Sequence, residues 1–386
     1  MAFGQTIETK RPAVGINAHL LSGEAGYRRA GIHHYIAQVL RHLPQDLPGT
    51  LRPVVFTRYA EDLIGVPGLA FVGSRWPTER RSVRILWEQL VWPWQAWRRR
   101  LDLLHSMAFV TPIIAPCPVI VTVYDLSFLH FPEQFPRLQR WYLTSQTGRS
   151  CRQARRVITI SEASRQDVHR FFGVPLTQIV VVYPGVDGRY RPLPAPEIAA
   201  FRRREQLPER FVLHVGTLQP RKNIPVLLEA FAQLPDPDLH LVLAGGKGWL
   251  FEDIFRRVQR LGLEQRVRFT GYVADEDLPL WYNAAALFVF PSVYEGFGMP
   301  VVEAMACGTP VVASRSSSIP EAAGSAGLLF DPQNAAELAE RMASVLNDPA
   351  LSATMQQQGV AQAANFSWEQ AGRDTAVLYR QVLPPT

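Results

Sequence analysis

Between residues 286 and 308 the chain changes backbone state twice, and this narrows the folds open to it. Ala286-Leu287-Phe288-Val289-Phe290 is a short apolar run of the kind a buried strand shows. Pro300 suits the first position of a helix and Gly308 its C-terminal stop. In the loop between them Gly296 and Gly298 lack a Cβ, so backbone can pass close to a ligand there. The layout is strand, glycine-containing loop, helix N-terminus. Unpaired N–H groups and the helix dipole at such a place favour a phosphate. With Pro300 as first helical residue, Glu303 lies one turn in and leans back over the same site. Glu295 lies in the loop before it. Carboxylates accept several O–H bonds, so a phosphate flanked by ribose on one side and a sugar on the other fits this arrangement.

Glu295 and Glu303, spaced E-x7-E and set in Pro291-Ser292-Val293-Tyr294-Glu295-Gly296-Phe297-Gly298-Met299-Pro300, resemble the motif of retaining glycosyltransferases of the GT-B fold, particularly family 4. The resemblance implies that Glu295 contacts the donor sugar and Glu303 the nucleotide ribose, with Gly296, Phe297, Gly298 and Met299 lining the donor site. The spacing alone is weak, and a loop acid beside a surface helix acid is the plainer reading. The glycine loop, the strand before it and Ala304-Met305-Ala306-Cys307-Gly308 after it make the match specific.

Length argues for two domains, because single cores rarely grow past ~250–300 residues and this chain has 386. A hydrophobic share of 47% and a charged share of 19% are those of a globular protein. The net charge of +6 suits an anionic ligand or an anionic membrane surface. No basic stripe interleaved with aromatics points to nucleic acid. Lysine stands only at Lys10, Lys222 and Lys247 in an arginine-rich chain, so a lysine kept in a loop is informative. Cys117, Cys151 and Cys307 lack metal or disulfide spacing, which fits a reducing cytoplasm. Met1–Ala13 has no apolar leader core, and no run approaches 18 apolar residues. The expectation is a cytoplasmic protein, at most peripheral at the inner membrane face.

In chain order, Ala13-Val14-Gly15-Ile16 reads as a strand, followed by the loop Ser22–Gly31 and a helix from Ile32 to Leu43. No G-x-G-x-x-G stands there, so a dinucleotide fingerprint is absent. By resemblance this loop, with Gly31 at the helix start, borders the acceptor and the donor phosphates. The plainer reading is an ordinary connection. Strands at Leu51–Thr57 and Leu69–Val72 come next. Trp87, Leu90, Val91, Trp94 and Trp97 then recur at helical spacing, broken by Pro93, and run into Arg98-Arg99-Arg100. Core packing beside a solvated charge cluster is one reading, and an aromatic stripe lying on an anionic bilayer is the other.

Strands at Asp102–His105 and Val119–Val123 lead to Tyr124-Asp125-Leu126-Ser127-Phe128-Leu129-His130-Phe131-Pro132-Glu133. Polar groups at a strand's carboxyl end are where open α/β sheets hold ligands. This segment resembles the family's H-D-L-S-F-L-x-F-P-E loop beside the donor sugar, with Tyr124 at the histidine position. Asp125 is carried over as a sugar-site residue. Tyr124 can donate one hydrogen bond but is no general base at neutral pH. His105 and His130 read as packed or capping histidines.

Arg156–Ile160, then Ser161 as a helix cap, and Ile179–Tyr183 finish the first half. Pro192, Pro194 and Pro196 read as a stiff linker. Phe211–Gly216 is a buried strand followed by Thr217-Leu218-Gln219-Pro220-Arg221-Lys222-Asn223 and an apolar-faced helix. Adjacent cations at that place suggest diphosphate neutralisation. The string G-T-x-x-P-R-K-N matches the family's phosphate loop, with Gly216 and Thr217 on the donor and Arg221 and Lys222 as anchors. Leu239–Ala244 runs into Gly245-Gly246-Lys247-Gly248, and Val267–Thr270 into Gly271-Tyr272-Val273; in the family these loops meet the base. Asp236-Pro237-Asp238 spells D-x-D but precedes a strand, so it reads as a turn rather than a metal site. Pro310–Ala313 and Gly327–Phe330 complete the sheet. Helices follow at Ala335–Leu346, Pro349–Asn365 and Trp368–Val382.

Strands alternating with helices twice over give two doubly wound, Rossmann-like domains. The expected divisions are 1–190 for an acceptor-binding domain, 191–366 for a nucleotide-sugar domain, and 367–386 for a helix crossing back to the first. The resemblance implies two domains facing a cleft. It also implies a metal-independent hexosyltransferase with no cofactor, taking GDP-mannose as favoured donor and UDP-glucose as second, and delivering to a glycan or lipid-linked hydroxyl. A nucleotide-sugar epimerase of the same fold, and a donor-binding subunit without turnover, remain as the other classes.

Overall fold

The computed structural model describes residues 11–21, 31–43, 51–59, 63, 65–246 and 252–383. Ser22–Ala30, Lys247 and Gly248, singled out above, lie outside them.

Seven strands build the first sheet: β1 (Ala13–Asn17), β2 (Arg52–Thr57), β3 (Ala70–Gly73), β4 (Leu103–Ser106), β5 (Val119–Val123), β6 (Arg156–Thr159) and β7 (Ile179–Val181). Six build the second: β8 (Arg210–Val215), β9 (Leu239–Ala244), β10 (Val267–Gly271), β11 (Leu287–Phe290), β12 (Val311–Ser314) and β13 (Leu328–Phe330). The orders are β3-β2-β1-β4-β5-β6-β7 and β10-β9-β8-β11-β12-β13. Every pair of neighbours runs parallel. Parallel sheets covered on both faces demand continuous apolar strands, and Val119-Ile120-Val121-Thr122-Val123 and Leu287-Phe288-Val289-Phe290 are buried at every residue. The strand order reverses between β1 and β4 in one sheet and between β8 and β11 in the other. Ligands of such sheets bind outside the carboxyl ends of the strands at the reversal.

Two compact units result. One runs to Tyr183 and takes in the chain from Trp368 onward, and the other is Pro184–Ser367. In the first, the C-terminal helix (Trp368–Val382) packs along the helix Ile32–His42. Gly372 makes this close approach possible, because a Cβ there would stand 2.8 Å from the His42 carbonyl carbon. Tyr379 anchors the same helix by a 2.7 Å hydrogen bond to His105 Nδ1, whose Nε2 meets Thr122 Oγ1 at 2.8 Å. His105 is therefore a core residue, and burial pulls it down to about 3.

Three elements depart from the sequence reading. The proline run does not make a plain linker: Pro194 precedes a helix, Ala195–Arg204, whose second residue is Pro196. Proline in a first turn forfeits only an N–H that has no helical partner anyway. Nor does Pro93 break its segment, since helix runs from Arg81 through Trp87–Val91 in π form to Arg98. There the Trp92 N–H reaches back five residues to the Trp87 carbonyl. This wide turn buries Trp87 and Trp92 together, stacked 6.3 Å apart, while Leu90, Trp94 and Trp97 face outward. The expected five-residue stripe is thus two faces. Finally, Arg137–Gln153 is a 17-residue helix that the sequence reading did not assign, because polar residues surround it and blur its apolar periodicity.

Candidate donor site

At the reversal of the second sheet, β8 and β11 end side by side, and each runs into one of the segments singled out from sequence. After β8 come Gly216 and Thr217, then a 3-10 turn Pro220–Lys222 and the helix Ile224–Ala232. Asn223 between them is left-handed (φ 54°), and its Nδ2 donates to the Pro332 carbonyl at 2.7 Å, which pins the turn. After β11 come the glycine loop and the helix Met299–Ala306, with Gly298 at its N-cap (φ 106°). The helix starts one residue before the expected Pro300, which is its second residue.

The loops meet through charge. Lys222 Nζ lies 2.6 Å from Glu295 Oε1, and Arg221 lies 3.3 Å from Oε2 while also donating to the Tyr294 carbonyl at 3.1 Å. The Val293 N–H donates to the Arg221 carbonyl at 3.0 Å, so backbone joins the loops as well. Ser317 and Ser318 hydroxyls both donate to the Glu295 carbonyl, at 2.8 and 2.9 Å. Burial pushes the Glu295 carboxyl upward, but Lys222 and Arg221 outweigh it and hold the group below its usual range. Burial pulls Lys222 down, against the opposing field of Glu295. The Lys222 ammonium also stands 5.0 Å over the Phe290 ring.

Glu303 sits one turn into the following helix, where the Tyr282 hydroxyl donates to its Oε2 at 2.9 Å. Burial raises it to about 7, opposed by hydrogen bonding from the tyrosines and by Arg189. Gly216 is close-packed, since a Cβ there would lie 3.3 Å from Lys222 Cε and 3.4 Å from His214 Nε2. At Gly245, at the end of β9, a Cβ would collide with the Gly216 carbonyl oxygen. The Phe297 ring packs 5.1 Å from Phe366, so it belongs to the core of this unit. Met299 is half-buried at the helix start and Thr217 is exposed.

Sequence reasoning missed Arg189, Tyr190 and Tyr282 around Glu303, and the serine pair behind Glu295. Polar residues directly after β12, Arg315-Ser316-Ser317-Ser318, were the available signal for the serines.

In the first unit, Asp125 is half-buried and accepts the Ser127 N–H at 2.9 Å, opening the short helix Ser127–His130. Tyr124, expected at the ligand loop, is instead a core residue. It is 4% exposed, packs 5.3 Å from Tyr35, and donates its hydroxyl to the Met107 carbonyl at 2.7 Å. Gly31 occupies the N-cap of the Ile32–His42 helix with φ 61°. His130 pairs with Asp167 at 2.8 Å. Asp236 and Asp238 form a turn before β9, with the Asp238 N–H on Asp236 Oδ1 and Arg210 3.3 Å from Oδ2.

Two family models match the chain: Glycosyltransferase Family 4 over residues 29–189 and Glycosyl transferases group 1 over 197–362. The chain is 36% identical over 265 residues to the O-antigen chain mannosyltransferase B of Escherichia coli, covering 68% of this chain and 70% of that one. It is 29% identical over 277 residues to the serotype-specific mannosyltransferase WbdA of the same organism, spanning 68% of this chain but 34% of WbdA. Among solved structures, Anabaena HepE in complex with UDP superposes with a TM-score of 0.74 at 22% identity, covering 96% of this chain and 100% of that one. That likeness shows the fold. With two parallel-sheet Rossmann-like units and these matches, the chain belongs to glycosyltransferase family 4 and has the GT-B fold.

Proposed function

We propose that the protein transfers a hexosyl group, mannose from GDP-mannose, with retention to a hydroxyl of a glycan or lipid-linked acceptor in cell-surface polysaccharide or glycolipid synthesis, without a metal ion. One observation carries the reading: Arg221 and Lys222 converge on Glu295 beside a helix N-terminus, at the reversal of the second sheet. Glu295 pairs with both cations and leaves the cluster with a net positive charge. A bound donor would offer its diphosphate to Arg221 and Lys222 and its sugar hydroxyls to Glu295, exchanging one set of charge-assisted hydrogen bonds for another. Glu303 would take the ribose hydroxyls, and Gly216 and Gly298 would let backbone approach the phosphates.

As the bond from sugar C1 to the phosphate oxygen breaks, negative charge grows on the diphosphate. Fixed cations and the helix dipole stabilise it there, which is commonly the largest catalytic contribution. The acceptor oxygen bonds to C1 on the face the phosphate leaves, and its proton passes to the departing phosphate oxygen. By the family resemblance Asp125 is also a sugar-site residue in this proposal. Mannose is supported by relatives whose names specify mannosyltransferases.

The test is thermal stabilisation by GDP-mannose, GDP, UDP-glucose and UDP, with and without EDTA. Ligand at 100 Kd adds about 2.7 kcal/mol. A shift with the guanine nucleotides alone, unchanged by EDTA, is expected. A shift only with uridine nucleotides makes UDP-glucose the donor, a shift abolished by EDTA removes metal independence, and no shift overturns the donor site.

A further inference from the structure

The outward face of the segment Arg81–Arg98 is unusual for a water-facing helix. Leu86, Leu90, Trp94 and Trp97 form a stripe along it and are 51, 64, 48 and 69% exposed. The π turn sets this display, because it turns Trp87 and Trp92 inward and leaves their neighbours out. The stripe is extended laterally by the loop after β4, where Ile113 and Ile114 are exposed. Gln89 fixes that loop to the helix, accepting the Ile113 N–H at 2.9 Å and donating to the Thr111 carbonyl at 3.2 Å. Arg149 and Gln153, from the helix Arg137–Gln153, clamp its other side at the carbonyls of Thr111 and Ile113. That second helix exposes Trp141 near its start.

The charge on these elements has one sign. Arg137–Gln153 contains no Asp or Glu. The sole acid within Arg81–Arg98 is Glu88, which is buried against Asn17. Arg81, Arg98, Arg99, Arg100 and Arg137 are exposed around the apolar stripe, and Arg98 lies over the Trp94 ring at 5.3 Å. Exposed tryptophan and leucine rimmed by arginine, with no exposed acid on either helix, match the depth profile of an anionic bilayer: acyl chains under the stripe, phosphates at the rim.

We propose that this face of the first unit docks on an anionic phospholipid bilayer, with Leu90, Trp94, Trp97 and the Ile113-Ile114 loop entering the interface and Arg98-Arg99-Arg100 on the headgroups. The loop follows β4 and is joined at Met107 to Tyr124, next to Asp125, so the docked face adjoins the carboxyl edge of the first sheet. The inference deepens the functional reading and rests on its lipid-linked acceptor, whose hydroxyl would be presented at that edge.

The experiment is co-sedimentation of the full chain with vesicles of equal phosphatidylglycerol and phosphatidylcholine, against phosphatidylcholine alone. Tryptophan emission is recorded alongside, and GDP-mannose and UDP-glucose stabilisation is measured on every variant. Wild type partitions onto the anionic vesicles with a blue shift, and less as salt rises. Trp94→Ser with Trp97→Ser lowers partitioning roughly tenfold or more. Each of Arg98→Gln, Arg99→Gln and Arg100→Gln lowers it up to roughly fivefold on anionic vesicles alone. All variants keep the nucleotide stabilisation of wild type, which separates loss of docking from loss of the donor site. Absence of wild-type binding overturns the proposal, as does equal binding by the tryptophan variant. A doubled mass in light scattering that the tryptophan variant halves would assign the face to a second copy and overturns it too.

Discussion

Lys222 and Glu295 are an ion pair in which each partner neutralises a group that could not otherwise be buried. Lys222→Met leaves Glu295 with Arg221 alone, and breaking such a pair costs about 3–5 kcal/mol. Denaturant unfolding of the second unit should show that loss, and adding Glu295→Gln should restore a large part of it. Glu303 makes a prediction of opposite origin. Burial raises its carboxyl to about 7, above the unfolded value, so the folded state holds a proton the unfolded chain has released. Its contribution to stability is complete below about pH 4.5 and is lost as pH rises through about 7. Glu303→Gln should flatten that part of the stability profile. Glu88 in the first unit is raised to about 7 for the same reason and keeps its own slope, which serves as the control. The two glutamates were readable from sequence as a spaced pair beside glycines. Their opposite electrostatics were not, because those follow from Tyr282, Arg189 and the Arg221-Lys222 turn, which folding brings in from distant positions.

At the scale of elements, the strands were the easy part of the sequence. Apolar runs such as Leu241–Ala244 and Leu287–Phe290 are continuous because both sheet faces are covered, and turn residues bound them sharply. Helices were harder. Arg137–Gln153 carries its inward contacts on small and polar residues such as Gly148, Ser150 and Cys151, so no apolar stripe announces it. The π turn at Trp87–Val91 resisted sequence reading for another reason: one residue of slippage redistributes a stripe between core and surface. Tyr124 stands at the expected strand end, but that position does not reveal which way the ring turns, and here the ring is buried. The close contact of loops is testable at Gly245, where a methyl group would strike the Gly216 carbonyl. Gly245→Ala should destabilise the second unit by about 1–3 kcal/mol and weaken nucleotide binding, read by denaturation and by ligand-induced shift.

For the molecule as a whole, the C-terminal helix returns to the unit in which the chain began. It covers the Ile32–His42 helix and supplies the Tyr379 hydroxyl to His105. Tyr379→Phe leaves His105 Nδ1 without that partner inside the core, at a cost of about 1–3 kcal/mol. Calorimetry should place the loss in the first unit, with nucleotide stabilisation of the second retained. Donor binding is tested by titration calorimetry of GDP-mannose in EDTA. Wild type is compared with Lys222→Met, Glu295→Gln, in which the pair is removed together so that neither charge is left buried alone. Wild type should bind, with an affinity roughly tenfold to a hundredfold lower in the double variant, since charge-assisted hydrogen bonds contribute about 1.5–3 kcal/mol each. Equal affinity in the two proteins would contradict this role for the pair.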